Sequence, residues 1–131
     1  MEKSVFTKII EGEIPCYKVY EDNKTFAFLD NNPLSDGHTL VVSKKQVDKF
    51  YNLDKDDYDA LFSSVKKIAN NMERVLGVRI GVAVEGFEVA HAHIHLVPLY
   101  DSNVLQLHHG YKVDSSNVGM EKLASKLYLA S

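Results

Sequence analysis

Several classes of protein are made improbable by what this sequence lacks. It contains one cysteine, Cys16, so no internal disulfide can form, and a lone thiol is typical of a reducing compartment. Basic residues number 15 against 18 acidic ones, and the net charge of −3 argues against binding to a nucleic acid polymer. No run approaches the roughly 18 apolar residues of a membrane span. We therefore expect a cytoplasmic protein with no membrane partner.

The length and composition of the chain fit one folded domain. Domains commonly contain about 100–150 residues, and this chain has 131, of which 45% are hydrophobic. Neither an internal repeat nor a linker-like stretch divides it. We expect a single domain over residues 1–131, with Cys16 as a structural bystander.

Hydrophobic periodicity predicts an α+β fold. The clearest element is a helix over residues 55–76, whose apolar positions share one face. Asp54 is a suitable N-cap for it, and Gly77 a suitable stop. Hairpin-like connections favour an antiparallel sheet of about five strands with the helices on one face. The other predicted elements are a short N-terminal helix at 4–11, strands at 17–21, 25–30, 38–43, 79–84 and 90–97, and a last helix at 117–129.

The unusual feature of the chain is a row of three histidines, His91, His93 and His95. In a strand, alternate residues share a face, so all three would point one way while the apolar residues between them point into the core. Core packing seldom fills a row with titratable side chains. The row therefore indicates chemistry.

Two kinds of chemistry fit such a row. In a zinc site, each imidazole nitrogen lies about 2.0–2.1 Å from the ion, but His91 and His95 start ~13 Å apart on a regular strand. Two of the histidines could chelate a metal with ligands from elsewhere. In a phosphoryl-transfer site, a neutral imidazole is a good nucleophile, and its neighbours donate hydrogen bonds to phosphate oxygens. The central His93 would then be the nucleophile.

The run from His91 to Val97 resembles the signature of the histidine-triad (HIT) superfamily, in which three histidines alternate with apolar residues. Residues 6–15 (FTKIIEGEIP) are similar to the opening segment of that family. Residues 26–30, Pro33 and residues 37–45 resemble its first nucleotide-binding block. The resemblance covers about residues 4–100 and does not extend to the tail, residues 101–131.

This resemblance implies an enzyme of the Hint-like branch, a nucleotide hydrolase or nucleotidyl transferase. His93 would attack the α-phosphorus of a nucleoside 5′-phosphate derivative and form a covalent nucleotidyl-histidine intermediate. His91 and His95 would orient it and contact the phosphate, with His38 as a fourth histidine nearby. Asp30 would accept hydrogen bonds from the ribose hydroxyls. The apolar positions implied to enclose the base are Phe6, Ile9, Ile14 and Leu40.

The family also implies a purine nucleotide as substrate and a homodimer whose sheet continues across the subunits. No cofactor and no metal is needed for the implied reaction. Two other hypotheses stay open: a nucleotide-binding module with little turnover, and a metal-dependent hydrolase that uses two of the triad histidines.

The chain departs from its family at several positions. Many relatives carry a Cys-x-x-Cys pair of a structural zinc site where this chain has Ser4 and Thr7, so we expect no zinc there. The loop before the triad is shorter than usual. In that loop, Glu88 replaces the hydroxyl residue that contacts the phosphate or the leaving group, and we expect it to influence which leaving group is accepted. His108 and His109 are expected in a solvated loop.

Overall fold

A five-stranded antiparallel sheet lies at the centre of the structure, a computed structural model that describes residues 1–107, 113 and 115–131. His108 and His109 lie outside these residues. The strand order is β1-β2-β3-β5-β4, which confirms the predicted α+β fold. The strands are β1 (Lys18–Glu21), β2 (Thr25–Leu29), β3 (Thr39–Ser43), β4 (Ile80–Ala83) and β5 (His93–Pro98), and the helices are α1 (Val5–Ile10), α2 (Lys55–Leu76) and α3 (Asn117–Leu127).

Helix α2 covers one face of the sheet. It begins at its predicted cap, where the Asp54 side chain accepts a hydrogen bond from the Asp57 N–H. It ends at Gly77, whose φ of 73° lies in the left-handed region that favours glycine. The buried residues of α2 pack against strand residues that include Ile94 and Leu96. This large core holds the inner strands, and therefore β5, in place.

Helix α1 lies on the opposite face of the sheet. Its Phe6 and Ile9 pack with Phe26, Phe28 and Leu40, which alternate along their strands with residues that face α2. The expectation that the helices share one face is therefore wrong for α1. The sheet is apolar on both faces near its middle, and this second, smaller core is the one adjacent to the histidines.

The strand of the histidine row begins later than predicted. We expected a strand over 90–97, but β5 starts at His93 and ends at Pro98, so His91 precedes it. The Ala92 N–H donates to the Val47 carbonyl at 2.6 Å, outside the sheet, and the His91 N–H donates to the Val89 carbonyl at 2.9 Å. The prediction that all three histidines lie on one regular strand is therefore wrong for His91, because the backbone bends before β5 begins.

Smaller differences occur at other element ends. The first strand begins at Lys18 rather than at 17, β3 begins after His38, and β4 is two residues shorter than expected. A 3-10 turn at Phe50–Asn52 had no counterpart in the prediction, and α3 ends at Leu127. Within the described residues, no helix combines the length and the apolar character needed to cross a bilayer.

Candidate active site

Two of the three triad histidines lie on β5, and the fourth histidine lies beside them. The register of β5 with β3 places His95 opposite Leu40. His38 directly precedes β3, and its ring centroid lies 5.1 Å from that of His95. The His93 ring lies 5.0 Å from the His95 ring and 4.9 Å from the Phe6 ring. Rings from α1, from β5 and from the residue before β3 therefore lie next to one another in the order Phe6, His93, His95, His38.

The protonation of His93 follows from one hydrogen bond. Its Nδ1 lies 2.6 Å from the His91 carbonyl oxygen. A carbonyl can only accept, so His93 Nδ1 carries the proton and Nε2 of the neutral ring has a free electron pair. This is the tautomer that a nucleophile requires, because the unprotonated nitrogen is the one that can bond to phosphorus.

A second hydrogen-bonded chain fixes His38 and His95. The Leu34 N–H donates to His38 Nδ1 at 3.0 Å, so the proton of neutral His38 is on Nε2. His38 Nε2 lies 2.9 Å from His95 Nδ1 and donates to it. The proton of His95 is then on Nε2, which is left as a hydrogen-bond donor. The two sites are complementary: His93 presents an electron pair, and His95 presents a proton.

The loop between β2 and β3 carries the predicted ribose ligand. Asp30 lies at the end of β2, and its N–H donates to the His38 carbonyl at 2.9 Å, which closes the loop. One carboxylate oxygen accepts from the Asn32 N–H at 2.8 Å. The other lies 3.5 Å from His38 Nε2. The carboxylate has further lone pairs for a ligand hydroxyl.

Most of the predicted site residues line one cavity of about 210 Å³. Its lining includes Phe6, Asp30, Leu40, His93 and His95. Apolar walls, a carboxylate and two imidazoles are the features of a small-molecule site with a few convergent polar groups. Glu88 also lines it, with an exposed side chain. The structure thus brings His93 and His95 together with three of the residues predicted to hold base and ribose, Phe6, Leu40 and Asp30.

Four predicted residues lie outside this cavity. His38 lines a neighbouring cavity of about 330 Å³, together with Asp30 and His95. Ile9 is buried in the smaller core, and Ile14 packs against that core without lining the cavity. His91 is completely buried and lies beneath the site rather than in it. The family pattern does not distinguish residues that line the cavity from residues that pack behind the lining.

Sequence reasoning missed a larger cavity of about 460 Å³, which shares His93, Glu85 and Phe87 with the smaller one. Its rim contains Lys49, Tyr51, Glu85 and Phe87, and the Phe87 side chain is 92% exposed. An exposed aromatic in a loop is weak evidence by itself. The signal available in the sequence was the position of Phe87 in the loop that leads to the triad.

Burial lowers the pKa of three histidines below the ordinary imidazole value. Loss of hydration is the largest cause for His38, His91 and His95. The Asp30 carboxylate opposes the lowering of the pKa of His38. At His95, the neighbouring imidazoles of His93 and His38 lower the pKa further. The three rings are therefore neutral at pH 7, as the tautomers described above require.

Asp30, His38 and His95 also offer three potential metal ligands within 4.8 Å of one another, among the described residues. Two nitrogens on a tetrahedral zinc ion lie about 3.3 Å apart. His38 Nε2 and His95 Nδ1 are closer, at 2.9 Å. A metal-bound histidine also usually donates its second N–H, whereas His38 Nδ1 accepts from Leu34. The arrangement fits a shared proton better than a metal ion.

The side chains around Ser4 and Thr7, where the family resemblance implies a zinc site in relatives, do not fit zinc. Ser4 and Thr7 offer neutral hydroxyls, and the neighbouring Gln46 offers an amide oxygen. Zinc sites in proteins use thiolate, imidazole and carboxylate ligands, and of the four side chains here only His91 supplies one. Each of the oxygens already has a hydrogen-bond partner.

The fold and the site define a small α+β protein of the histidine-triad type. The HIT domain family matches residues 11–102, and the chain belongs to this family. A HIT-like protein of Borreliella burgdorferi is 37% identical over 93% of this chain and 91% of its own length. A HIT family member of Bacillus subtilis has a solved structure that superposes with a TM-score of 0.83 at 30% identity, covering 99% of both chains.

A third relative has a named activity. The adenylylsulfatase HINT3 of Arabidopsis thaliana is 36% identical over 77% of this chain and 54% of its own length. Hydrolases therefore occur among the relatives of this chain.

We predict that the protein becomes less stable as the pH is lowered from 7.5 to 5.5, the range in which free histidine becomes protonated. The unfolded chain binds protons on His38, His91 and His95 near pH 6.5, whereas the folded chain resists protonation because their pKa values are lowered. Between pH 7.5 and 5.5 the unfolded state therefore binds more protons, and the free energy of unfolding decreases. Urea denaturation at the two pH values measures this. A His38→Asn, His95→Gln variant should show a smaller decrease, and a flat profile in the parent protein would contradict the prediction.

Proposed function

We propose that this protein hydrolyses nucleoside 5′-phosphate derivatives at the α-phosphorus, with His93 as the nucleophile. The observation that carries the proposal is the hydrogen bond from His93 Nδ1–H to the His91 carbonyl, which leaves Nε2 unprotonated beside the cavity. The membership of the HIT family and the hydrolase among its relatives support the same reaction class.

In the first step, the Nε2 electron pair of His93 forms a bond to the α-phosphorus. The bond from phosphorus to the leaving group breaks, and the leaving group keeps that electron pair and takes a proton from solvent. The His93 ring becomes positively charged, and the His91 carbonyl stabilises this charge through the Nδ1–H. His95 Nε2–H donates to a phosphate oxygen as negative charge develops there.

In the second step, water attacks the phosphorus of the nucleotidyl-histidine. The bond between phosphorus and Nε2 breaks, and its electron pair returns to His93. The products are the nucleoside monophosphate and a neutral imidazole, while the proton lost by water goes to solvent. A second acceptor in place of water would make the same enzyme a nucleotidyl transferase.

The substrate is a purine nucleotide derivative in this proposal. Phe6 and Leu40 offer apolar contact to the base in the smaller cavity, and Asp30 accepts from the ribose hydroxyls. The leaving group extends toward Glu88, which lines the same cavity. A carboxylate there repels a highly charged polyphosphate, so amine leaving groups and other groups of low charge are favoured.

Loss of His93 should abolish turnover. The His93→Ala variant should hydrolyse an adenosine 5′-phosphoramidate at least about a thousandfold more slowly, because the attacking electron pair is absent. The parent protein mixed rapidly with labelled substrate should carry an acid-labile label on His93.

Three further readings separate the alternatives. Chelator treatment should leave activity intact; activity that is lost and returns only with added zinc would favour a metal-dependent hydrolase. Nucleotide binding without any turnover would favour a binding module. Full activity of His93→Ala, with an unchanged melting temperature, would contradict the nucleophile assignment.

Asp30 should discriminate between ribose and deoxyribose. In Asp30→Asn, the side-chain oxygen can still accept from the Asn32 N–H, while the charged acceptor for the ribose is lost. A hydrogen bond to a charged group contributes about 1.5–3 kcal/mol, so binding of AMP should weaken by roughly ten- to a hundredfold. Binding of 2′,3′-dideoxy-AMP should change much less. Calorimetric titration measures both, and equal losses would limit Asp30 to a role in the loop.

We also propose a homodimer that pairs through β4. Strands β1 and β4 are the two edges of the sheet. The β1 edge carries Lys18 and Glu21 and has an irregular register, both of which hinder pairing with another chain. The β4 edge is uncharged and regular, with Val82 51% exposed. It is therefore the edge suited to continue the sheet into a second copy.

A lysine at the β4 edge should disrupt this dimer. Val82→Lys places a charge in the proposed pairing edge and should give monomers in light scattering at micromolar concentration. The matched control is Val19→Lys on β1, the opposite edge, which should remain dimeric. A parent protein that is monomeric at all concentrations would overturn the proposal.

A further inference from the structure

A cluster of uncharged polar side chains surrounds the buried ring of His91. The Ser4 hydroxyl oxygen lies 2.6 Å from His91 Nδ1. Gln46 Oε1 lies 2.8 Å from the Ser4 backbone N and 2.6 Å from Thr7 Oγ1. The residues come from α1, the segment after β3 and the bend before β5, so the cluster joins three parts of the chain.

When His91 is neutral, the donors and acceptors around its ring can be assigned in only one way. His91 Nε2 lies 2.6 Å from the Ser43 carbonyl, which can only accept, so Nε2 carries the proton. His91 Nδ1 is then an acceptor, and the donor must be the Ser4 hydroxyl. That hydroxyl oxygen also accepts from the Thr7 N–H at 3.0 Å as the N-cap of α1.

The remaining members hold Ser4 in this orientation. Gln46 Nε2 donates to the Glu2 carbonyl at 2.8 Å, which turns its oxygen toward α1. Thr7 donates its hydroxyl proton to that oxygen, so it is not available to His91. The Ser4 and Thr7 hydroxyl oxygens lie 3.2 Å apart, but neither donates to the other, because both hydroxyl protons are used in other hydrogen bonds. The Ser43 carbonyl therefore sets the tautomer of His91, and Ser4 is the donor that holds the other nitrogen of its ring.

His91 in turn determines the state of the nucleophile. Its ring is held at both nitrogens, by Ser4 and by the Ser43 carbonyl at the end of β3. Its backbone carbonyl is the acceptor for His93 Nδ1–H at 2.6 Å. Because ring and carbonyl belong to one residue in a tight bend, displacement of the ring would move the carbonyl that orients His93.

We propose that Ser4, oriented by Thr7 and Gln46, is a positioning residue that holds His91 and thereby keeps His93 in its nucleophilic tautomer. The inference rests on the proposed role of His93, but its first test measures protonation and does not require turnover.

The first test is long-range nitrogen–proton NMR on protein labelled at histidine. The parent protein should show His91 protonated at Nε2 only and His93 protonated at Nδ1 only. Ser4→Asp retains an N-cap acceptor but cannot donate to Nδ1, so His91 should become protonated at both nitrogens at pH 7. Ser4→Thr retains both functions and should reproduce the parent spectrum.

The second test is steady-state kinetics on the same variants. Ser4→Asp should lower kcat roughly tenfold, equivalent to about 1.4 kcal/mol, with KM changed less than about twofold because α1 remains capped. Ser4→Ala loses the cap as well and should lower kcat and raise KM, since α1 carries Phe6. Ser4→Thr should restore kcat.

Ser64→Ala is the matched control for loss of a buried serine hydroxyl. Ser64 of α2 lies 2.7 Å from Thr25 Oγ1 and 3.2 Å from an Asp22 carboxylate oxygen, on the face of the sheet opposite the histidine rings. This variant should lower the melting temperature while kcat and the histidine spectra stay at their parent values.

Two results would overturn the proposal: a Ser4→Asp variant with the parent His91 spectrum and kcat, or stoichiometric zinc bound at His91 in the purified parent protein. If the parent protein turns over no nucleotide substrate, the proposed function fails, while the spectra still decide how Ser4 acts on His91.

Discussion

The hydrogen bond from His93 Nδ1–H to the His91 carbonyl is the interaction on which the candidate site depends. At 2.6 Å it both selects a tautomer and fixes the ring plane. A side-chain carboxylate in that position would be stronger but would bring a buried charge that must itself be neutralised. A backbone carbonyl has no such cost, but its direction depends on the local chain path. The bend at Val89–His91 is therefore part of the chemistry rather than a simple connection.

The sheet supplies the stiffness that this arrangement needs. Residues that alternate with the histidines, such as Ile94 and Leu96, are completely buried against α2. Close-packed cores resist small displacements, so packing against α2 restricts the movement of the histidine side chains on the other face of β5. The Phe6 ring contacts both His91 and His93, which couples α1 to the same arrangement.

How far the sequence predicts the structure varies with the range of the interactions. Helix α2 has the predicted bounds because periodicity and both caps, Asp54 and Gly77, are local signals. His93 was predicted from the histidine row, and Asp30 and His38 from the family resemblance; the structure places Asp30 beside His38 and both near His95, which adjoins His93. The start of β5 was missed because alternation continues through Ala92, whose N–H pairs with Val47 far away in the chain. The contact of Ser4 with His91 spans 87 residues and leaves no pattern in the sequence.

The loop from Asp30 to His38 tolerates changes of composition but not of length. Its two ends are tied by a backbone hydrogen bond, and the Ser35 hydroxyl donates to the Pro98 carbonyl at the end of β5. One end contributes a carboxylate and the other an imidazole, so an added or deleted residue would displace both at once. Exposed positions between them can change freely in composition. The surface beside Asp30 and His38 can therefore be altered through the exposed side chains of this loop, whereas a change in its length would alter the distance between the two.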